Sequence, residues 1–448
     1  MPNSIAILPG AGIKYRSHDV EYPFRQNSDF YYLTAYLEPD ALAVFIKEDN
    51  SNQNNIHNSG KFILFNKSLD LKHQIWHGEL LGQEQAMQQY GADIAYPIEE
   101  LEQILPKLLS GKEIIYYPKG NNINHTYQCK SNLDKFKQII LDFFKQNPKV
   151  QTSSKHQDLL SIIHELRVIK SPVELEKIRY VTKISADAHN HIMEYIAKHK
   201  NNNKINNKGN DNLTERHVQA EFYKYCLQNG CDEMAYQPIV AGGNNACILH
   251  YTQNASQLRS NELLLIDAGA EYSNYAADIT RVFPINGKFS ANQKEIYSLV
   301  LFAQKQAIEQ IRPGKIWSNI QLTILEILVQ GLIDLKILSG NLKDLIVQQA
   351  YKEFYMHGSG HFLGLDVHDV GSYTINQQSR ELVPGMVLTV EPGLYFPLNF
   401  NAKEMLDQKW QGMGIRIEDD ILVTEKGFEV LTSSALKEID EIENLMLN

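Results

Sequence analysis

Apolar positions recur with a period of two in some stretches of this chain and every three to four residues in others, which separates strands from helices. Near the N-terminus, ALAVFI (Ala41 to Ile46) and KFILF (Lys61 to Phe65) read as strands parted by the polar loop EDNSNQNNIHNSG. EIIYYP (Glu113 to Pro118) reads as a further strand, and LEQILPKLL and NLDKFKQIILDFFKQ as helices. Strands interleaved with helices predict a mixed α/β domain. The polar break NPKVQTSSKHQ near residue 150 predicts where it ends, giving one domain over 1–155 and another over 156–448.

Beyond the break, Ser171 reads as an N-cap with Pro172 at the first helical position and Glu174 three residues on, a capping box. A helix is predicted from there to about Ala197, followed by the Asn/Lys-rich HKNNNKINNKGNDN as a solvated loop with nothing to bury. IQLTILEILVQGLIDLKIL (Ile320 to Leu338) is broken by Gln, Glu, Asp and Lys, so it reads as an amphipathic core helix and not a membrane span. From Glu262 the pattern turns strand-rich. ELLLIDAG and AADITRVFPI read as partners around the turn EYSNY, and MVLTVEPGLYF and GIRIEDDILVT as later strands. Helices before and between mainly antiparallel strands predict an α+β second domain.

At 448 residues the chain is long for one core, which agrees with two domains. A formal net charge of −10 argues against a nucleic-acid or anionic-membrane binder. The N-terminus lacks the charged and apolar regions of a signal peptide. Cys129, Cys226, Cys231 and Cys247 make no CxxC pair and no disulfide framework, so free thiols in a reducing cytoplasm are expected.

Four acids sit where burial is costly. Asp267 closes the apolar run LLLID, and Asp278 lies in AADITRV, where the hairpin can bring it beside Asp267. Glu391 ends MVLTVE, and Glu418 stands between apolar neighbours with Arg416 two residues earlier on the same strand face. Carboxylates brought together repel unless a cation is shared. The stretch HGSGHFLGLDVHD adds His357, His361 and His368 with Gly358, Gly360 and Gly364, read as tight turns and close backbone approaches. Phe362 and Leu363 read either as an apolar wall or as core. Oxygen donors with one imidazole suit Mn²⁺, with Co²⁺, Zn²⁺ and Fe²⁺ as alternatives.

These segments, with LLLIDAGAEYSNYAADITRVFP, PGMVLTVEPGLYF and GMGIRIEDDILVT, resemble the aminopeptidase P branch of the M24 pita-bread metallopeptidases. KYRSHDVEYPFRQNSDFYYLT and IWHGELLG resemble the creatinase-type N-terminal domain of that branch. The resemblance implies two divalent metal ions, most readily Mn²⁺, held by Asp267, Asp278, His361, Glu391 and Glu418. Asp278 and Glu418 would bridge, Asp267 would serve one ion, and His361 and Glu391 the other. Paired ions of this kind lie roughly 3.5–4 Å apart, activate a water and polarise a carbonyl. His250 and His368 are implied at the substrate and scissile carbonyl, His357 in the pocket, Glu391 as a proton carrier and Arg416 as support for a bridging carboxylate or the substrate.

The implied reaction is hydrolysis of the first peptide bond of peptides with proline at position two. Xaa-Pro dipeptidases share the fold and motifs and are the nearest alternative; the C-terminal run GMGIRIEDDILVTEKGFEVLT to IDEIENLM is more similar to the aminopeptidase P side. Methionine aminopeptidases usually lack the N-terminal domain, and creatine amidinohydrolases lack the five-ligand set. A non-catalytic peptide-binding relative would have lost ligands. The family further implies a homodimer or homotetramer, in which Trp76 is a candidate to reach a neighbouring subunit's site.

Overall fold

The computed structural model describes residues 3–47, 60–119, 130–148, 156–205, 213–398 and 407–447. Most of the polar loop EDNSNQNNIHNSG, most of the polar break and Cys129 lie outside them. The chain forms two compact units, Met1–Leu166 and Arg167–Asn448.

The first unit is built on a mixed six-stranded sheet of β1 (Ser4–Pro9), β2 (Leu42–Lys47), β3 (Gly60–Asn66), β4 (Ile94–Pro97), β5 (Ile114–Tyr117) and β6 (His156–Asp158), in the order β4-β3-β2-β1-β5-β6. The central pairs β1–β2 and β2–β3 are antiparallel and the outer ones parallel. Its helices are α1 (Ser28–Thr34), α2 (Leu71–His77), α3 (Gly82–Tyr90), α4 (Leu101–Leu109) and α5 (Lys130–Gln146). In α4, Leu101, Leu105 and Leu109 recur every four residues, as do Phe136, Ile140 and Phe144 in α5; each stripe buries into the core that contains Ile5, Ile7, Val44 and Phe65. By contrast α2 buries none of its side chains.

The division between units falls within α6 (Leu159–Val168), later than the polar break suggests. Leu159, Leu160 and Ile163 belong to the first core and Val168 to the second, so an amphipathic helix with apolar residues along its length carries the chain across.

The second unit begins with α7 (Pro172–Ile205) and α8 (Glu215–Gln228). The capping box forms as expected: Ser171 N donates to Glu174 Oε2 at 2.8 Å and Glu174 N to Ser171 Oγ at 3.4 Å. α7 runs past Ala197 into the Asn/Lys-rich stretch, because extending a nucleated helix through such residues costs only fractions of a kcal/mol each; residues 206–212 lie outside the described ones. The remaining helices are α9 (Ala291–Ile308), α10 (Ser318–Asp334), α11 (Leu342–Val347) and α12 (Ile439–Leu447). Six apolar side chains of α10, Ile320 to Leu332, are buried on one face, and no described helix is long and apolar enough to cross a membrane.

The site is carried by short antiparallel sheets. β7 (Glu233–Met234), β10 (Ala270–Tyr272) and β11 (Tyr275–Ala276) form one, and β8 (Ile239–Gly242), β9 (Leu263–Asp267) and β12 (Thr280–Pro284) another. After a small hairpin of β13 (Thr374–Ile375) and β14 (Gln378–Ser379), β15 (Val387–Val390) pairs with β18 (Asp419–Val423), β16 (Gly393–Phe396) with β17 (Met413–Arg416), and β18 also with β19 (Phe428–Val430). Strands β9 and β12 do pair, Asp267 opposite Thr280, but EYSNY turns a separate hairpin of β10 and β11. Ser273 and Asn274 both have positive φ, 49° and 64°, the backbone of a two-residue hairpin turn. The chain therefore steps from one sheet to the other just after Asp267 and back just before Thr280, which leaves Asp278 in the return step and not inside a strand. At Gly269 the main chains cross: a Cβ there would lie 1.8 Å from the carbonyl oxygen of Ala277.

A candidate metal centre between the strand ends

Strand ends deliver the acids to one place. Tyr236, on the segment after β7, donates from one hydroxyl position toward Asp267 Oδ1 at 2.6 Å and Asp278 Oδ1 at 2.5 Å. The other oxygen of Asp267 takes Arg416 Nη2 at 2.5 Å. Arg416 closes β17, and its Nε donates to Thr280 Oγ1 at 3.1 Å while Thr280 Oγ1 donates to Glu418 Oε2 at 2.7 Å. Arg416 and Glu418 thus meet through the same Thr280 hydroxyl, with Ile417 alone between them in the chain.

The glycine-rich stretch lies along β15. Thr389 N donates to His361 O at 2.8 Å and Glu391 N to Ser359 O at 2.9 Å. A Cβ on Gly360 would lie 2.0 Å from Thr389 O, and one on Gly364 would lie 2.3 Å from Asp369 Oδ2, so both positions need glycine. Gly358 has open space around its Cβ position and no such requirement. The apolar-wall reading of Phe362 and Leu363 is overturned: both are fully buried, and Phe362 stacks on Tyr373 at 5.0 Å between centroids and packs on Trp317.

His361 Nε2 stands 3.4 Å from Asp278 Oδ2 and 3.6 Å from Glu391 Oε1. Asp278, His361 and Glu418 each offer a ligand atom, all within 4.8 Å of one another, a group able to hold a metal ion. Asp267 and Glu391 flank this group. His357 accepts or donates at Nε2 with Tyr395 OH at 2.8 Å and places Nδ1 3.5 Å from Glu391 Oε2; Tyr395 in turn accepts from Arg416 Nη1 at 2.9 Å. His368 is exposed and packs edge-on against His361, with centroids 4.2 Å apart. His250 is exposed on the turn after Gly243–Cys247.

The electrostatics are those of crowded anions. Burial raises Glu418 well above the usual carboxylate range, and Asp278, Glu391 and Asp267 add to it. Burial likewise pushes Glu391 up to about 7, against the pull of His361 and Arg416, and raises Asp267 against Arg416. His361 behaves oppositely: burial would lower it, but Asp278 and Glu391 hold the imidazole up at about 9. Burial and then Arg416 push His357 down to about 3. Oxygen-rich donors, one imidazole and unrelieved negative charge fit a hard or borderline divalent cation. Loading such a cation requires neutral His361. Metal uptake at pH 7 is therefore expected to release protons and to tighten as pH rises toward 9, which a Mn²⁺ titration with a pH indicator measures; uptake without proton release would contradict it.

Sequence reasoning missed Tyr236, Tyr395, Thr280 and Thr389. Tyr236 is 31 residues from Asp267, with no local pattern to link them. Tyr395 carried a weak signal, a tyrosine in an otherwise apolar strand, since a buried hydroxyl needs a partner. Tyr355 has none among the described residues: its hydroxyl is buried beside His357 without a hydrogen-bond partner there. Tyr355→Phe is accordingly expected to leave stability unchanged or raise it by about 1 kcal/mol, read by denaturant unfolding; a clear loss would show that the hydroxyl is paired in solution.

A family model for metallopeptidase family M24 matches residues 176–425, and one for the aminopeptidase P N-terminal domain matches residues 1–116. The chain belongs to the M24 metallopeptidases and, within them, carries the aminopeptidase P N-terminal domain. It is 41% identical to the Xaa-Pro aminopeptidase of Escherichia coli over 446 residues, covering 100% of this chain and 94% of that one. Among solved structures, Pseudomonas aeruginosa aminopeptidase PepP superimposes with a TM-score of 0.86 at 40% identity, covering 100% and 94% of the two chains. Zn-substituted E. coli aminopeptidase P in complex with product gives 0.87 at 39% identity, covering 99% and 94%.

Proposed function

We propose that this centre hydrolyses the peptide bond between an N-terminal residue and a following proline, making the protein an Xaa-Pro aminopeptidase with two divalent metal ions, Mn²⁺ foremost. The observation that carries the reading is the convergence of Asp278, His361 and Glu418 within 4.8 Å, inside an M24 chain that also has the aminopeptidase P N-terminal domain. Asp267, Asp278, His361, Glu391 and Glu418 would hold the ions, with Asp278 and Glu418 shared. When bound, the ions supply Lewis acidity and a water acidified toward neutral pH.

The chain's own groups supply the rest. Glu391, with Oε2 facing His357 and Oε1 facing His361, takes the water's proton and returns it to the proline nitrogen. His250 and His368, both exposed and the latter packed against His361, bind the substrate and its carbonyl as oxyanion character develops. His357, kept neutral, is positioned by Tyr395, and Arg416 fixes Asp267 while orienting Glu418 through Thr280. The free α-amino group is received near Asp267, which limits release to one residue.

The test strips the protein of metal, restores Mn²⁺, and offers an Xaa-Pro dipeptide beside an Xaa-Pro-Xaa tripeptide. Release of the first residue from the tripeptide, with weak action on the dipeptide, supports the reading. Preference for the dipeptide makes the protein an Xaa-Pro dipeptidase, and Mn²⁺-independent inertness toward both leaves a peptide-binding protein.

A cytoplasmic setting is supported by Cys226 and Cys231, buried as free thiols, the latter pushed up by burial to about 12. A homodimer or homotetramer is supported by the apolar surface of α2, where Ile75 and Trp76 are 79% and 81% exposed. Trp76 reaches a neighbouring subunit's substrate in this arrangement. Trp76→Ala is expected to weaken tripeptide turnover or assembly, and unchanged kinetics with unchanged sedimentation would refute that role.

A further inference from the structure

Outside the catalytic unit, α2 carries a second pair of metal-preferring side chains. His73 and His77 stand four residues apart on its single exposed length, and this spacing places both on one face of the helix. Their rings already meet, with centroids 4.8 Å apart and planes inclined by 38°. The Nδ1 atom of His73 is buried yet has no hydrogen-bond partner among the described residues. A buried ring nitrogen without a partner normally costs free energy. An imidazole pair one helical turn apart, with its rings this close, is an arrangement that one cation can chelate.

We propose that His73 and His77 form a second metal site, for imidazole-preferring cations such as Zn²⁺, Ni²⁺ or Cu²⁺, completed by water. The donor set differs from the catalytic one. Two imidazoles without a carboxylate disfavour Mn²⁺, which lies at the weak end of the divalent series and favours oxygen ligands. The catalytic group, with its carboxylates, lies wholly in Arg167–Asn448, whereas this pair lies in Met1–Leu166. One chain thus presents two sites of opposite preference.

Occupancy has a structural consequence. α2 has seven residues and buries none of them. A helix so short is marginal on its own, since few hydrogen bonds follow its costly nucleation. It is tied at one end by the Asp70 side chain, which accepts from Lys72 N at 2.9 Å, and it stops at Gly78, where φ is 91°. A cation bridging His73 and His77 clips one full turn, and metal affinity is then coupled to helix order. The same helix presents Leu71, Ile75 and Trp76, so the cation governs how firmly that apolar face is held.

The experiment uses the full chain with its catalytic centre loaded with Mn²⁺. Ni²⁺ is titrated by calorimetry into the wild type, His77→Gln and the double variant His73→Gln/His77→Gln, with hydrogen exchange followed over residues 71–78. The proposal expects one additional Ni²⁺ per chain in the wild type and affinity at least about tenfold weaker in His77→Gln. It also expects slowed exchange in α2 on Ni²⁺ addition, lost in the double variant. Both substitutions lie on a surface helix, and unchanged circular dichroism verifies that the variants are folded. Equal Ni²⁺ binding by wild type and double variant would overturn the proposal, as would the same response of α2 exchange to added Mn²⁺. Binding that the variants weaken without any effect on exchange would overturn the coupling to helix order.

Discussion

Glu418→Gln is expected to lower kcat/KM for an Xaa-Pro-Xaa peptide about a thousandfold, the equivalent of the several kcal/mol that a bound cation contributes at such a centre. The substitution keeps the shape of the side chain. It also keeps an acceptor for Thr280 Oγ1, which donates to Glu418 Oε2 at 2.7 Å. What it removes is one negative charge from the group formed with Asp278 and His361. In the metal-free protein that charge is unwelcome, because burial and the neighbouring carboxylates of Asp278, Glu391 and Asp267 all favour the protonated acid. The metal-free variant should therefore unfold at the same denaturant concentration as the metal-free wild type, or a higher one. Activity should therefore fall while metal-free stability does not. If both fall together, Glu418 is a structural acid and the assignment of the centre is wrong.

Asp419→Ala should be the most destabilising single change in the second unit, by about 3–5 kcal/mol, because it strands a buried cation. Asp419 and Arg281 are both fully buried and paired at 2.6 Å. Lys437 Nζ at 2.5 Å, Gln304 Nε2 at 2.5 Å and Thr432 Oγ1 at 2.7 Å complete the carboxylate's partners. The network also touches the centre: Arg281 Nη1 donates to the main-chain carbonyl of Glu418 at 2.6 Å. Burial alone would raise Asp419, but Arg281 and then Lys437 hold it well below the usual carboxylate range. A carboxyl depressed in the folded state stabilises fully above its unfolded pKa and loses that contribution only as pH falls through the folded value. The wild-type advantage over Asp419→Ala, measured by denaturant unfolding of the metal-loaded protein, should thus persist from pH 7 down to about 4 and shrink only in stronger acid. A difference under about 1 kcal/mol at pH 7 would mean that water replaces the carboxylate.

Much of this was legible in the sequence because the informative residues broke a local rule. Asp267, Glu391 and Glu418 end or interrupt apolar strands, and burial without a partner is costly enough that the pattern itself asked for a cation. The capping box at Ser171 and the stripe of α10 are likewise local. The parts that escaped are long-range. Nothing near Tyr236 reports that its hydroxyl will meet two aspartates, and the step between sheets that places Asp278 depends on a crossing of main chains at Gly269. The end of α7 was misjudged because composition measures what a segment can bury, whereas a long helix can continue on its own hydrogen bonds. Phe362 and Leu363 were ambiguous between pocket and core since periodicity describes an apolar position without saying what packs on it.

The two crossings at Gly269 and Gly360 place one main chain directly against another, the first two residues from Asp267 and the second beside His361. The separation of those segments is consequently set by contacts between peptide groups, which substitution elsewhere cannot alter. Substitutions in the surrounding core should then change thermal tolerance without changing the spacing offered to a cation. Relatives that differ widely in their cores should still share a cation preference, and selection for a new one should act on ligand identity rather than on repacking.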